Sequence, residues 1–274
     1  MFLMMTGAHG VGKTTLREGL LPKIEAAYSI AEITNVSRNQ LAQMGLSSLG
    51  ELKGQLYWQF QNALIRKQLH LEQELLESWQ HRWLCNKSQI VISDRSTIDY
   101  MAYARLYGPR EAPKGLSAYL TAEALTLLNW HELLRSCKAQ QPELKYKFVH
   151  VRPFGTPPKQ DGIRASNRVD QIAIDVMIGE LLGMFRDEGS RLIMHTAADL
   201  FTLRDEIGKL RQQEITSKQH AKDIKRSIER LIRAASTESW RSPGNGTMLV
   251  PTQFDMCISE PNVRLEQLHA IIRS

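Results

Sequence analysis

At 274 residues, with 42% hydrophobic and 23% charged side chains, the chain can form one large α/β domain or a domain with an appendage, and wholesale disorder is excluded. A formal charge of +6 suits a protein that handles phosphorylated molecules or touches nucleic acid, and does not choose between them. Cys85, Cys137 and Cys257 lie too far apart for a metal-ligand spacing and leave an odd count, which points to a reducing interior without a disulfide framework. The chain opens into an apolar strand without the features of a signal peptide, and no apolar run approaches bilayer length. A soluble, cytoplasmic protein is expected.

The first strand, around Phe2 to Met5, leads into Gly7-Ala8-His9-Gly10-Val11-Gly12-Lys13-Thr14-Thr15, a full G-x-x-x-x-G-K-[ST] pattern. Leu16, Leu20, Leu21 and Ile24 then share one face of a helix, so the motif sits in the strand, loop and helix order that its chemistry requires. Gly7, Gly10 and Gly12 can take backbone angles closed to residues with a Cβ, which lets successive N–H groups converge on a polyphosphate. The helix adds its unpaired amides and the positive end of its dipole. His9, Val11 and Thr15 complete the lining, Lys13 reaches the β- and γ-phosphates of a donor such as ATP, and the Thr14 hydroxyl is placed to ligate Mg²⁺.

Pro22 is expected to kink or shorten this first helix. The second strand, Tyr28 to Ile33, carries Glu32 near its carboxyl end, where open parallel sheets place ligand-binding groups. Arg38 follows, then a short helix closed by Gly45; a plain surface acid and arginine is the alternative. From Leu49 to Leu84 a long helical pattern is weakly broken at Gly54. Gln59 and Gln61 interrupt its apolar face, and a planar amide there can read an acceptor base or simply be solvated. Gln89 to Asp94 is a compact apolar strand ending in an acid, as where an Asp organises Mg²⁺ or acts on an acceptor. Arg95 comes next, with a fork of donors that suits oxyanions.

A helix from Ile98 to Tyr107 ending at Gly108-Pro109, another from about Ser117 to Cys137, and a fourth strand from Lys145 to Arg152 follow. Trp130 and His131 read as packing residues. Lys159 to Arg168 has the composition of a lid that closes over a site, and Arg164 and Arg168, four apart, can share a helix face aimed at a γ-phosphate; a solvated loop is the alternative. A helix from about Val169 to Arg186 follows, then a fifth strand at Arg191 to His195 and a closing helix from Leu200 to Gln212. Residues 215–235 form a basic helical pattern with Lys218, Lys222, Lys225, Arg226, Arg230 and Arg233. A turn at Pro243 to Gly246 precedes a small final segment with a helix from Asn262 to Ile272.

GAHGVGKTT, the Glu32 to Arg38 segment, SDRSTIDYMAYARLYG and QDGIR together resemble the P-loop nucleoside and nucleotide kinase superfamily. Closest are the ribosylnicotinamide-kinase-like ATPase branch and the thymidylate kinase and deoxynucleoside kinase relatives. The resemblance covers residues 1–213 and implies a three-layer α/β sandwich around a five-stranded parallel sheet; residues 214–274 have no counterpart there and read as a basic helical extension. It implies ATP and Mg²⁺, with Lys13 and Thr14 as donor ligands, Asp94 as metal organiser or base, Arg164 as lid arginine, and Glu32 as the acid after the second strand, although the proline that follows that acid in deoxynucleoside kinases is missing. The activity implied is transfer of a γ-phosphate to a hydroxyl of a nucleoside-type acceptor. Phage kinases that phosphorylate 5-hydroxymethyluracil within DNA are relatives of this group, and in such an enzyme the basic helix 215–235 would neutralise backbone phosphates. A regulatory or defence-type ATPase without an acceptor, and a nucleic-acid binding protein with an ATP site, are the other readings, and a homodimer is compatible with all of them.

Overall fold

The structure is a computed structural model that describes residues 1–80, 88–111, 115, 119, 122, 146–153, 168–186, 219, 223, 226, 252–256 and 261–273. Its described strands are β1 (Phe2–Thr6), β2 (Tyr28–Ile33), β3 (Ser88–Ser93), β4 (Tyr146–Val151) and β5 (Thr252–Met256). They form one sheet of order β2-β3-β1-β4-β5, parallel throughout. All five residues of β1 are buried, which is why its sequence runs apolar without alternation: a central parallel strand has helices on both sides.

The helices are α1 (Lys13–Ile24), α2 (Val36–Gln43), α3 (Gln55–Gln80), α4 (Thr97–Glu111), α5 (Arg168–Arg186) and α6 (Pro261–Arg273). Side chains of β4 show how they are layered, since neighbouring residues on a strand point to opposite faces. Lys147 donates to the Ile271 carbonyl of α6 at 2.7 Å, while Tyr146 reaches Glu72 on α3 and His150 lies 3.0 Å from Asp175 on α5. Thus α6, packed on α1, covers one face, and α3, α4 and α5 cover the other. Because β1 lies between β3 and β4, the chain leaves the middle of the sheet in two directions, and a crevice opens at the carboxyl ends of these strands.

The α/β three-layer sandwich with five parallel strands agrees with expectation, but the fifth strand has a different origin. The stretch 191–195 lies outside the described residues, and the edge strand beside β4 is Thr252–Met256. Two of its five residues are Gln253 and Asp255, so intrinsic propensity is weak there, and pairing with the buried β4 decides the outcome. Residues 252–256 and 261–273, read from sequence as part of an appendage beginning at 214, therefore supply an edge strand and a covering helix to the same sheet. The expected helices 117–137 and 200–212, Trp130 and His131, the three cysteines and nearly all of 215–235 lie outside the described residues.

Other boundaries moved for local reasons. The long helix starts only at Gln55, because Gly54 takes φ +56° and Leu52 is extended after a 3₁₀ turn at Leu49–Glu51. The α4 helix runs on through Gly108 to Glu111. Gly108 answers to packing rather than to helix termination: a Cβ there would lie 2.0 Å from the buried Trp58 ring. Pro22 lies inside α1, which runs on through it to Ile24. At the end of α2, Gly45 with φ +70° lets the Leu46 N–H reach the Leu41 carbonyl at 3.0 Å, closing the helix as its position suggested.

Candidate functional site

The loop between β1 and α1 lies at the mouth of the crevice. Gly7 has φ +152°, and a Cβ there would sit 2.4 Å from the Val151 carbonyl at the end of β4, so only glycine lets the loop leave the sheet at this point. Gly12, with φ +91°, takes the N-cap position of α1 and offers no side-chain cap to the first turn. The amides of that turn are therefore available to an external acceptor, together with the positive end of the helix dipole.

Side chains from four directions hold the loop's carbonyls. Lys13, almost fully buried, donates through Nζ to the Gly7 carbonyl at 2.5 Å and the Ala8 carbonyl at 2.7 Å. Arg95 Nη1 also donates to the Gly7 carbonyl, at 3.2 Å. Gln171 of α5 donates to the His9 carbonyl at 2.9 Å, and Arg264 of α6 to the Val11 carbonyl at 2.9 Å. On the donor side of the backbone, the Tyr103 hydroxyl accepts from the His9 N–H at 3.1 Å and lies 2.9 Å from the His9 ring Nδ1.

Asp99, fully buried in the first turn of α4, ties this loop to the end of β3. One carboxylate oxygen accepts from the Gly7 N–H at 3.1 Å and from Arg95 at 3.1 Å; the other accepts from the Ser96 N–H and hydroxyl, both at 2.9 Å. Burial works against the charge of Arg95, but Tyr103, Asp99, Tyr100 and Asp94 around it outweigh burial and push its pKa above the ordinary range. Arg95 is thus a fixed cation, with its guanidinium 5.8 Å from the Tyr103 ring centre.

Two acids end the neighbouring strands, Glu32 on β2 and Asp94 just after β3, and Arg17 of α1 lies between them. Its Nε is 3.3 Å from Glu32 Oε2 and its Nη1 is 3.7 Å from Asp94 Oδ2. Arg17 follows Lys13 by one helical turn and so shares its face. Thr14 and Thr15 are exposed at the start of α1.

Beyond Arg95 lies a shallow, open-mouthed pocket, about 340 Å³ when the solvent at its mouth is counted, with Leu49, Phe60 and Leu64 as apolar wall and Ser37, Gln61, Arg95, Tyr100 and Tyr103 as polar lining. Such a mixture, apolar with a few convergent polar groups, is what small-molecule sites use. Gln61 is 4% exposed and its Oε1 has no hydrogen-bond partner among the described residues. Burial raises the pKa of the Tyr100 phenol above its ordinary value against the opposing pull of Arg95, so it remains a protonated donor at neutral pH.

The family described as AAA domain matches residues 2–186. The chain belongs to this AAA domain family. That places it in the P-loop superfamily that its loop suggested, and the matched span of this AAA domain protein includes every residue of the loop, the strand-end acids and the pocket. No curated protein sequence matches. Solved structures similar to it include deoxyadenosine kinase from M. mycoides with dCMP and dCDP, at 10% identity over 100% of this chain and 99% of that one, with a TM-score of 0.40. The same enzyme with dATP has 11% identity over the full length of both chains and a TM-score of 0.33. The tRNA isopentenylpyrophosphate transferase of Bacillus halodurans has 13% identity over 99% of this chain and 95% of that one, with a TM-score of 0.29. At these scores the likenesses do not bear on function.

Of the residues singled out in the sequence, Gly7, His9, Gly10, Val11, Gly12, Lys13, Thr14 and Thr15 form one loop and helix start, with Arg95 against it and Asp94 and Glu32 joined through Arg17. Arg38 is exposed on α2. Arg164 lies outside the described residues, and Arg168 opens α5. The sequence reading missed Arg17, Asp99, Tyr100, Tyr103, Gln171 and Arg264. Ser96-Thr97-Ile98-Asp99 carries the [ST]-x-x-[DE] pattern of a helix start, which marks Asp99, and the one-turn spacing from Lys13 marks Arg17. For Gln171 and Arg264 the sequence holds no signal, since they reach the loop from far along the chain.

Proposed function

We propose that this AAA domain protein is an ATP-dependent phosphotransferase that moves a γ-phosphate to a hydroxyl of a nucleoside-type acceptor. The observation that carries the reading is the pocket beside the loop: Arg95 lines it and also touches the Gly7 carbonyl, so a molecule held there would meet the phosphate end of a nucleotide on the loop. An ATPase that uses hydrolysis only as a signal has no need of a second pocket at that place. In this reading Lys13 leaves its loop carbonyls for the β- and γ-phosphates, and the amides of residues 10–15 hold their oxygens. The acceptor oxygen forms the new bond to phosphorus, the bond to the ADP oxygen breaks, and Asp94 or Glu32 takes the proton. Arg95, with Arg164 and Arg168 from the lid, balances charge on the moving group.

The donor set fits Mg²⁺, with the exposed Thr14 hydroxyl and the Asp94 carboxylate as hard oxygen ligands. Among the described residues no cluster of three or more His, Cys, Asp or Glu could hold a metal by itself, which suits an ion that arrives with nucleotide phosphates. Held by these residues, the ion would offset the negative charge of the phosphates. Gln61 supports an acceptor with a polar edge, because a buried amide oxygen without a partner is satisfied by a ligand N–H. Hydroxymethylated pyrimidine in DNA stays within the proposal through the basic segment 215–235, as do a homodimer and a cytoplasmic setting. No described helix is long and apolar enough to cross a membrane.

The test is radiolabelled ATP offered with nucleosides, nucleoside monophosphates, nicotinamide riboside and hydroxymethylated duplex DNA. Label transferred to one class, in step with ATP loss, is expected. ATP consumed at full rate with no labelled acceptor in any arm would sink the proposal in favour of a signalling ATPase.

A further inference from the structure

The His9 and Val11 carbonyls of the loop are held by side chains from helices distant in sequence, and the hold on Val11 comes from outside the span that matches the family. The carbonyl and N–H of a trans peptide unit point in opposite directions, and no peptide bond here is cis. A side chain that grips the Val11 carbonyl from behind therefore turns the Gly12 N–H to the other side of the loop. We infer that Arg264 is a positioning residue of the phosphate loop: it fixes the Val11–Gly12 peptide with its N–H presented to the nucleotide, which makes the C-terminal helix part of the nucleotide site. This rests on the reading of the loop as a nucleotide-phosphate site.

The contact is built rather than incidental. Arg264 is 7% exposed, and its two terminal nitrogens are divided between the Val11 carbonyl at 2.9 Å and the Arg152 carbonyl just past β4 at 3.1 Å. A planar fork can bridge two carbonyls in this way, where a single ammonium would serve them less well. The helix that carries it is fastened beside α1. Leu265 packs so closely on Gly19 that a Cβ there would lie 3.3 Å from it, Lys23 donates to Glu266 at 2.7 Å, Leu268 is fully buried, and Lys147 holds the Ile271 carbonyl. The guanidinium thus has a fixed origin relative to the very helix whose N-terminus faces the phosphates. Preorganised amides hold an anion well only when they need not turn to meet it, and Arg264 removes that turn.

The experiment compares the full chain with Arg264→Met, Arg264→Gln and, as a control at the exposed far end of the same helix, Arg273→Gln. Calorimetry measures ATP, inorganic tripolyphosphate and adenosine, with Mg²⁺ present, and circular dichroism checks the fold. Arg264→Met is expected to bind ATP and tripolyphosphate roughly tenfold more weakly, the usual scale for one charge-assisted hydrogen bond, with adenosine unchanged. Arg273→Gln should match the wild type throughout. Should Arg264→Met fail to fold, Arg264→Gln, too short to bridge both carbonyls, is read in its place. Unchanged tripolyphosphate affinity in a folded variant overturns the inference, as does an equal loss for adenosine, which would mean that the helix only packs. A wild-type chain that binds neither ATP nor tripolyphosphate overturns the loop assignment itself.

Discussion

Two adjoining surfaces at the carboxyl edge of the sheet treat their polar groups in opposite ways. In the loop after β1 the carbonyls of Gly7, Ala8, His9 and Val11 are each gripped by a side chain, and the Gly7 and His9 amides are held as well. In the pocket on the far side of Arg95, a buried carboxamide oxygen of Gln61 has no partner among the described residues. An anion site works by fixing its dipoles beforehand, so its backbone must be fully engaged from behind. A site that discriminates among ligands works by leaving groups whose unmet hydrogen bonds cost about 1–3 kcal/mol until the right molecule arrives. On the proposed function, the loop is therefore the generic part of the site and the pocket the specific part.

The largest effect should come from the loop's own cation. Lys13→Ala is expected to lower phosphoryl transfer by on the order of 10³-fold, because charge stabilisation in a site sheltered from water is the main contribution such a residue makes. Steady-state transfer of labelled phosphate measures it, and a variant with the wild-type rate would break the distinction between the two surfaces at its root.

A second prediction tests the supports behind the loop. Asp175, fully buried, receives Arg152 Nη2 at 2.9 Å and faces His150 at 3.0 Å, and the carbonyl of that same Arg152 is the second anchor of Arg264. Burial raises the Asp175 pKa, but the His150 hydrogen bond and charge and the Arg152 charge outweigh it and hold the carboxyl well below its usual range. A lowered folded-state pKa means that this stabilisation is complete above the unfolded carboxylate value near 4 and is lost as pH falls below it toward the folded value. Thermal unfolding at pH 7 should show Asp175→Asn destabilised by about 3 kcal/mol, the scale for breaking a buried pair. Between pH 4 and pH 2 the wild type should lose more stability than the variant. Equal acid sensitivity would remove Asp175 from the support.

How much of this could be read beforehand follows the same division. The loop was legible because its glycines, Lys13 and Thr14 stand in nine contiguous residues, and the Asp94-Arg95 pair was legible because a strand tip is marked by the apolar run before it. The sheet's edge was not, since Thr252–Met256 is a strand by virtue of its partner β4 rather than of its own residues. Likewise Gln171 and Arg264 hold the loop from 162 and 253 residues away, a distance at which no local pattern operates. Gln61 could be singled out as a polar break in an apolar helix face, yet whether its amide was solvated or buried without a partner depended on how α2 and α4 close over α3.

Asp99 stands at the boundary between the two surfaces, because Arg95, which it orients, belongs to both. Asp99→Asn keeps the shape and two acceptor contacts at most, and loses the charge opposite Arg95. It should weaken ATP binding and lower stability by about 2 kcal/mol, within the range for a hydrogen bond to a charged group. Calorimetry and thermal unfolding together test this; a variant that loses stability but binds ATP normally would show that Asp99 serves only as the start of α4.

The smallest expected change in the free protein is the most telling. Gln61→Met replaces the carboxamide by an apolar chain of similar length, and since its oxygen is already buried without a partner among the described residues, removing it should leave stability unchanged or raise it by up to about 1 kcal/mol. The KM for ATP should stay where it was, because Gln61 lines the pocket and not the loop. With the acceptor found in the labelling panel, kcat/KM should fall at least about tenfold, since the lost ligand hydrogen bond has no replacement in an apolar wall. Were Gln61→Met instead markedly less stable, its amide would belong to the fold as the loop's clamps do, and the contrast between a fully engaged loop and an expectant pocket would disappear.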